Sequence, residues 1–372
     1  MVYIFSFLFC IYFAVLVSLR KNGKKVFNGK LDTFLAILSF SPLFVLYAFR
    51  GEIGIDQQAY QEIFNITRYT NLKELPTLSQ EIEIETFYLL INYLGFKWGL
   101  GINFVYFICS GLTFFFLYKA LTYYDQERKY FIIAIIIFYS QMFFSGLDAV
   151  RQIVGVAIYF YSTKYITERK FHLFLIWVFV ASLFHTSVLL LIPTYFVLNK
   201  KINPFFYIIV SLLFLLLSKI FTPVILVEYI AKVFPDWKYL SDLSNDVQYE
   251  GTVGIVYFIH LITSVVILLC QKEVSIYSKK IIPVNMYIIF AMLYPIASPY
   301  LSTKRLLYYF FIAASLGIPF GIERLKNYEL AKFRPLILFA YCILFIFLFL
   351  SSVRSGYLNP QWFHEPYKFM NQ

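Results

Sequence analysis

Arg151 opens an apolar run, Arg151-Gln152-Ile153-Val154-Gly155, directly after a tight break at Ser145-Gly146-Leu147-Asp148. A cation in the first turn of a helix opposes the helix dipole, and the free backbone N–H groups there attract an anion. Arg50, Lys304 and Arg305 are cations at comparable breaks, with Lys304-Arg305 expected to start the helix after the break Pro295 to Arg305. Four cations brought in by loops far apart in sequence suit a phosphate-bearing ligand. Glu52, Asp56 and the imidazole of His185, in Phe184-His185-Thr186-Ser187, add candidate general bases. The chemistry open to this set is recognition of a phosphate with a proton moved beside it.

Each of these residues also has a plainer role. Asp148 fits the N-cap of a helix beginning at Ala149, because a short acceptor satisfies free N–H groups there. Arg50 can snorkel from a helix end, Asp56 can form a turn, and Arg305 beside Lys304 can anchor a lipid headgroup. His185 can be a core histidine bonded to a carbonyl. His172, His260 and His364 have no ligand partner at useful spacing, and Cys10, Cys109, Cys270 and Cys342 are scattered through apolar runs. No metal and no cofactor is therefore expected. Gly51-Glu52-Ile53-Gly54 neither opens a helix nor follows a strand, and there is no Walker A loop, so nothing resembles a soluble nucleotide site.

The elements that position these residues belong in a membrane. Of 372 residues, 60% are hydrophobic and 14% charged, far from the roughly 45–50% and about 25% of a soluble domain. Runs of about 20 apolar residues repeat from Val2 to Ser352 with short polar breaks, which leaves no room for a soluble domain. The expectation is an all-α polytopic membrane protein, one integral domain over residues 1–372. The first run, Val2 to Leu19, lacks a preceding basic residue and a cleavage site and reads as a retained helix.

A net charge of +11 would suggest nucleic acid in a soluble protein. Here the Lys and Arg residues cluster in short breaks at 20–30, 119–129, 164–170, 200–201, 272–280 and 324–334, where they encode orientation. Placing these breaks in the cytoplasm sends the N-terminus and the four cations outward. About 12 crossings then follow, with outer loops at about 50–83 and 221–250. The stretch 84–98 is expected as a half-helix on the outer side, and 171–198 as a hairpin with His185 near its apex.

Arg50 to Tyr60 resembles the Arg-x-Gly-x-Gly-x-Asp…Tyr outer-loop motif of the EpsG/Wzy group of bacterial polysaccharide polymerases, although Gln57 stands where an aromatic is common. Arg151-Gln152 is similar to that group's Arg-Gln helix start, and Ala181-x-x-Phe184-His185-x-Ser187 to its Phe-His-x-Ser segment. Arg305 with Tyr308 and Tyr309 is similar to its C-terminal Arg…Tyr element. The pieces span about residues 45–310. The resemblance implies a GT-C-like, metal-independent glycosyltransferase in the bacterial cytoplasmic (inner) membrane, acting on polyprenyl-diphosphate-linked sugar repeats at the outer leaflet. It implies that Arg50, Arg151, Gln152, Lys304 and Arg305 bind the diphosphate or sugar, that Asp56 or His185 accepts a proton, and that Tyr60 stacks on sugar. The implied partners are the lipid-linked glycan, membrane lipid and a chain-length regulator protein, with no nucleic acid. The alternatives are a flippase of lipid-linked glycans, which should carry mid-membrane ionisable residues and related halves, and an O-antigen ligase.

Overall fold

The computed structural model describes residues 1–21, 24–51, 53–218, 232, 254–269, 278–299, 301–327 and 329–358. Glu52 and the expected outer loop 221–250, Lys232 apart, lie outside them. Among the described residues the chain is helical, apart from a small antiparallel ribbon in the first basic break, β1 (Arg20–Lys21) paired with β2 (Lys24–Lys25). Gly29–Ala48, Ile102–Tyr124 and Ala331–Ser355 are each long and apolar enough to cross a bilayer. Thr303–Phe311 and Ala314–Glu323 pass the same test as a pair bent by 50°. Other apolar helices are 10–17 residues long, and the apolar run from Phe131 is interrupted at Met142.

The chain divides into two compact units, Met1–Ser162 with Ile176–Thr186 and the residues from Phe339 onward, and Thr163–Leu175 with Ser187–Leu338. The first unit is built around α1 (Val2–Ser18), α2 (Gly29–Ala48), α6 (Ile102–Tyr124), α7 (Phe131–Gln141) and α9 (Val150–Ser162). α6 packs on α2 and α9, and α1 packs on α2 and α7. Along α6 the buried residues recur every three or four positions, among them Val105, Cys109, Thr113, Leu117 and Leu121, which is the stripe of a helix packed along its length. α9 is buried nearly all round, so its helix needs no polar face. Phe349, from the last helix (Arg334–Leu358), closes this core against Phe7 at 4.6 Å.

The expected loop 50–83 is mostly helical, with α3 (Gln57–Thr67), a 3-10 turn at Leu72–Glu74 and α4 (Leu75–Ile82). The cause is visible in α3, where Tyr60, Ile63, Phe64 and Thr67 are buried at i, i+3, i+4 and i+7. The half-helix expected at 84–98 is present as α5 (Thr86–Lys97).

Charged residues mark both ends of α2. At its start, Arg128 pairs with Asp32, Lys25 Nζ reaches the same carboxylate at 2.6 Å, and Arg128 Nη2 donates to Tyr118 Oη at 2.6 Å. Arg50 follows its end. The eighteen positions from Asp32 to Arg50 rise roughly 27 Å at about 1.5 Å each, close to the hydrocarbon thickness of about 30 Å.

The second unit holds α13 (Pro204–Leu217), Ile255–Leu269 and Ile281–Ala297, the last packed against the other two. α13 starts on a full cap: Asn203 Oδ1 accepts the N–H groups of Phe205 and Phe206 at 2.9 and 3.2 Å, with Pro204 in the first turn. Asn285 Nδ2 donates to Leu198 and Lys200 carbonyls, both at 2.8 Å. Phe171 and Phe174 lie against Tyr195 at 4.8 and 5.3 Å, so the chain does turn back within 171–198. Lys304 and Arg305 depart from expectation. The helix begins at Leu301 and ends at Leu306, which puts both cations in its last turn, where the dipole favours them.

Candidate functional site

The end of α2 and the segment after it are fastened to the short helix Phe143–Asp148, called α8 here, by three hydrogen bonds and one close approach. Tyr47 Oη donates to Phe143 O at 2.5 Å, and Arg50 Nη1 donates to Leu147 O. Ile55 N–H donates to Asp148 Oδ1 at 2.9 Å. Gly54, at φ +101°, lies so close that a Cβ would sit 2.9 Å from Asp148 Oδ1, which requires glycine on both steric and conformational grounds. Asp148 thus ends α8 and holds a loop. The following helix begins at Val150 rather than at Ala149, so Ala149, whose carbonyl accepts Ile153 N–H, takes the position expected of Asp148.

Arg50 is enclosed at 1% exposure, with its guanidinium 4.1 Å from the centroid of Tyr106. Tyr106 Oη donates to Gln57 Oε1 at 2.7 Å, so the departure at Gln57 has a structural use. Arg50 Nε and Nη2 are buried without a hydrogen-bond partner. Asp56 stands half-buried at the N-cap of α3. Tyr60 is buried beside Tyr88, with ring centroids 6.2 Å apart, and Gln152 is buried in α9. Arg50, Tyr60 and Gln152 are thus enclosed, whereas Asp56 is half-buried and the side chains of Arg151 and His185 are each 20% exposed.

Arg151 does stand in the first turn of its helix, and the anion it meets is Glu85. Arg151 Nη1 donates to Glu85 Oε2 at 2.5 Å. Glu85 Oε1 accepts Thr186 N–H at 3.0 Å and lies 3.4 Å from His185 Nδ1. The Arg151 guanidinium also sits 5.6 Å from the Tyr88 ring centroid, and Arg151 Nε is buried without a partner. Burial raises the Glu85 pKa, but the His185 ring and the Arg151 charge outweigh it and hold the carboxyl below its ordinary range. A guanidinium, a carboxylate and an imidazole therefore meet at one point, from α9, the residue before α5 and the break after Phe171–Ser182 (α11).

Sequence reasoning brought out Arg151 and His185 and missed Glu85. Its available signal was its place as the last of Glu81, Glu83 and Glu85, just before an apolar helix. In the second unit, Lys304 is exposed and Arg305 half-buried, and Ser187 Oγ lies 3.0 Å from Tyr309 Oη, which joins two of the motif segments. Among the described residues no group of three or more His, Cys, Asp or Glu is placed to hold a metal ion.

Comparison with known proteins gives a match to the family model described as the EpsG family over residues 33–368. No curated protein and no solved structure matches the chain.

Proposed function

Because the chain belongs to the EpsG family, we propose that it is a polysaccharide polymerase that joins polyprenyl-diphosphate-linked repeat units at the outer leaflet of the bacterial cytoplasmic membrane. In this reading the protein has about 12 crossings and a GT-C-like architecture. The observation that carries it is the meeting of Arg151, Glu85 and His185. Its setting favours the outer leaflet, because Asp32 in the first turn of α2 and Arg50 just past its end lie about a bilayer apart and the basic break holding Arg128 belongs to the Asp32 end.

The acceptor hydroxyl gives its proton to His185 as its oxygen bonds to the anomeric carbon of the donor's reducing-end sugar. The bond from that carbon to phosphate oxygen breaks, and polyprenyl diphosphate leaves with the electron pair. Arg151 stabilises the charge that develops on the leaving oxygen, a contribution that grows in a poorly hydrated site. Asp56 is the second candidate base. Arg50 acts by holding the 50–56 loop. In the second unit, Lys304 and Arg305 are assigned to phosphate recognition on the family pattern, without a metal.

The reading is tested by reconstituting the purified protein in vesicles with a lipid-linked repeat. Products longer than one repeat, with one polyprenyl diphosphate released per bond formed, support it. Transbilayer movement of the glycolipid without bond formation would move the protein to the flippase class.

A further inference from the structure

Glu85 stands at the N-cap position of α5, yet its side chain makes no capping bond. Capping is where a carboxylate at that position ordinarily contributes. Here it turns to two other segments and meets three groups: Arg151 Nη1, Thr186 N–H and the Nδ1 face of His185. Its side chain is only 8% exposed.

We propose that Glu85 is a positioning residue of this site, holding His185 by Nδ1 so that Nε2 is the proton acceptor, and fixing Arg151 beside it. The proposal rests on the polymerase reading for its chemistry. A neutral imidazole carries one N–H and one lone pair, and the partner of one nitrogen decides which role the other takes. With Nδ1–H directed at Glu85 Oε1, the lone pair lies on Nε2. Thr186 N–H, bound to the same oxygen, fixes the backbone directly after the histidine, which limits how the ring can turn. Nδ1 lies 3.4 Å from Oε1, an ion-pair separation, and in the proposed substrate-bound state the two close to hydrogen-bond length, as catalytic contacts commonly do on binding. When Nε2 takes the proton from the attacking hydroxyl, the imidazolium formed is stabilised by the adjacent carboxylate. When the new glycosidic bond is complete, that proton passes to solvent. Glu85 itself stays ionised throughout and touches no reacting atom.

A mere structural ion pair between Glu85 and Arg151 makes different predictions. With full-length protein in vesicles at matched abundance, Glu85→Gln should lower kcat about 100-fold with KM held within about threefold, the scale of a misdirected general base. Glu85→Asp should recover at least about tenfold of that loss, because the carboxylate is kept. In a His185→Ala background, adding Glu85→Gln should cost clearly less than the about 100-fold it costs in the wild type, the remainder being its hold on Arg151. Losses that multiply in full would overturn the proposal. A second readout does not use activity: the chain has four histidines, so 15N ring spectra of His-labelled protein, assigned with His185→Gln, report the His185 tautomer. Protonation at Nδ1 in the wild type, lost in Glu85→Gln, supports the proposal, and an unchanged tautomer overturns it. A tautomer shift in a protein that forms no glycosidic bond would instead sink the polymerase reading while leaving the positioning of His185 intact.

Discussion

Arg151 and Glu85 form an ion pair across 66 positions of sequence, and it joins the first turn of α9 to the residue that precedes α5. With side chains 20% and 8% exposed, this is a mostly buried pair. Removing one member leaves the other charge uncompensated, which is the costly case.

Arg151→Ala should therefore lose activity and also about 3 kcal/mol of stability, and Glu85→Gln less, since an amide remains to accept a hydrogen bond. Arg151→Lys should restore much of the stability but little activity, because an ammonium replaces the planar fork that suits phosphate. Thermal unfolding in detergent and polymer yield at matched abundance separate the two effects. Full activity in Arg151→Ala would return the residue to a purely structural role.

The pair also has a pH signature. The Glu85 carboxyl is held below its ordinary value in the folded protein, so its contribution is present above the unfolded carboxylate pKa of about 4.3 and is lost as pH falls through the lower folded value. The stability difference between wild type and Glu85→Gln should shrink as pH falls below about 4, where the carboxyl is protonated. A difference that instead grows as pH falls below about 4 would mean that the folded protein holds the carboxyl above its ordinary value.

Gly54→Ala tests the loop fastening. The substitution places a Cβ 2.9 Å from Asp148 Oδ1 at a φ of +101°, so it should destabilise by about 1–3 kcal/mol. Asp148→Ala, which frees Ile55 N–H, should expose the 50–56 segment to proteolysis without abolishing folding. Equal protease resistance in both variants and the wild type would remove Asp148 from this role.

What could be read in the sequence was what breaks a local rule. Arg151 stands out because a cation at a helix start conflicts with the dipole, and His185 because it interrupts an apolar stretch. Glu85 breaks no rule, since an acid before a helix is ordinary, and its importance arises only when α9 and the end of α11 arrive beside it. For Lys304 and Arg305 the Pro295 break suggests a helix start, whereas the helix begins at Leu301 and holds both cations in its last turn. The helical period of Tyr60, Ile63, Phe64 and Thr67 was present in the supposed loop 50–83 but was masked by its polar residues.

Orientation is checked by single cysteines in a background lacking the four native ones. Asn65 and Gln126 are both exposed, Asn65 in α3, which follows the Arg50 end of α2, and Gln126 next to the Arg128 cluster. A membrane-impermeant thiol reagent should label Asn65→Cys in whole cells and spare Gln126→Cys. The reverse pattern would invert the proposed membrane sidedness.

The most direct test of the polymerase reading is glycan analysis of a strain lacking this protein and retaining a working ligase. Single repeats should still cross the membrane and be capped onto the acceptor, so a one-repeat species should replace the ladder. Wild-type protein should restore the ladder, and Arg151→Ala, present at equal abundance, should not. Loss of the one-repeat species along with the ladder would contradict the account, because it would place the defect at transport rather than at glycosidic bond formation.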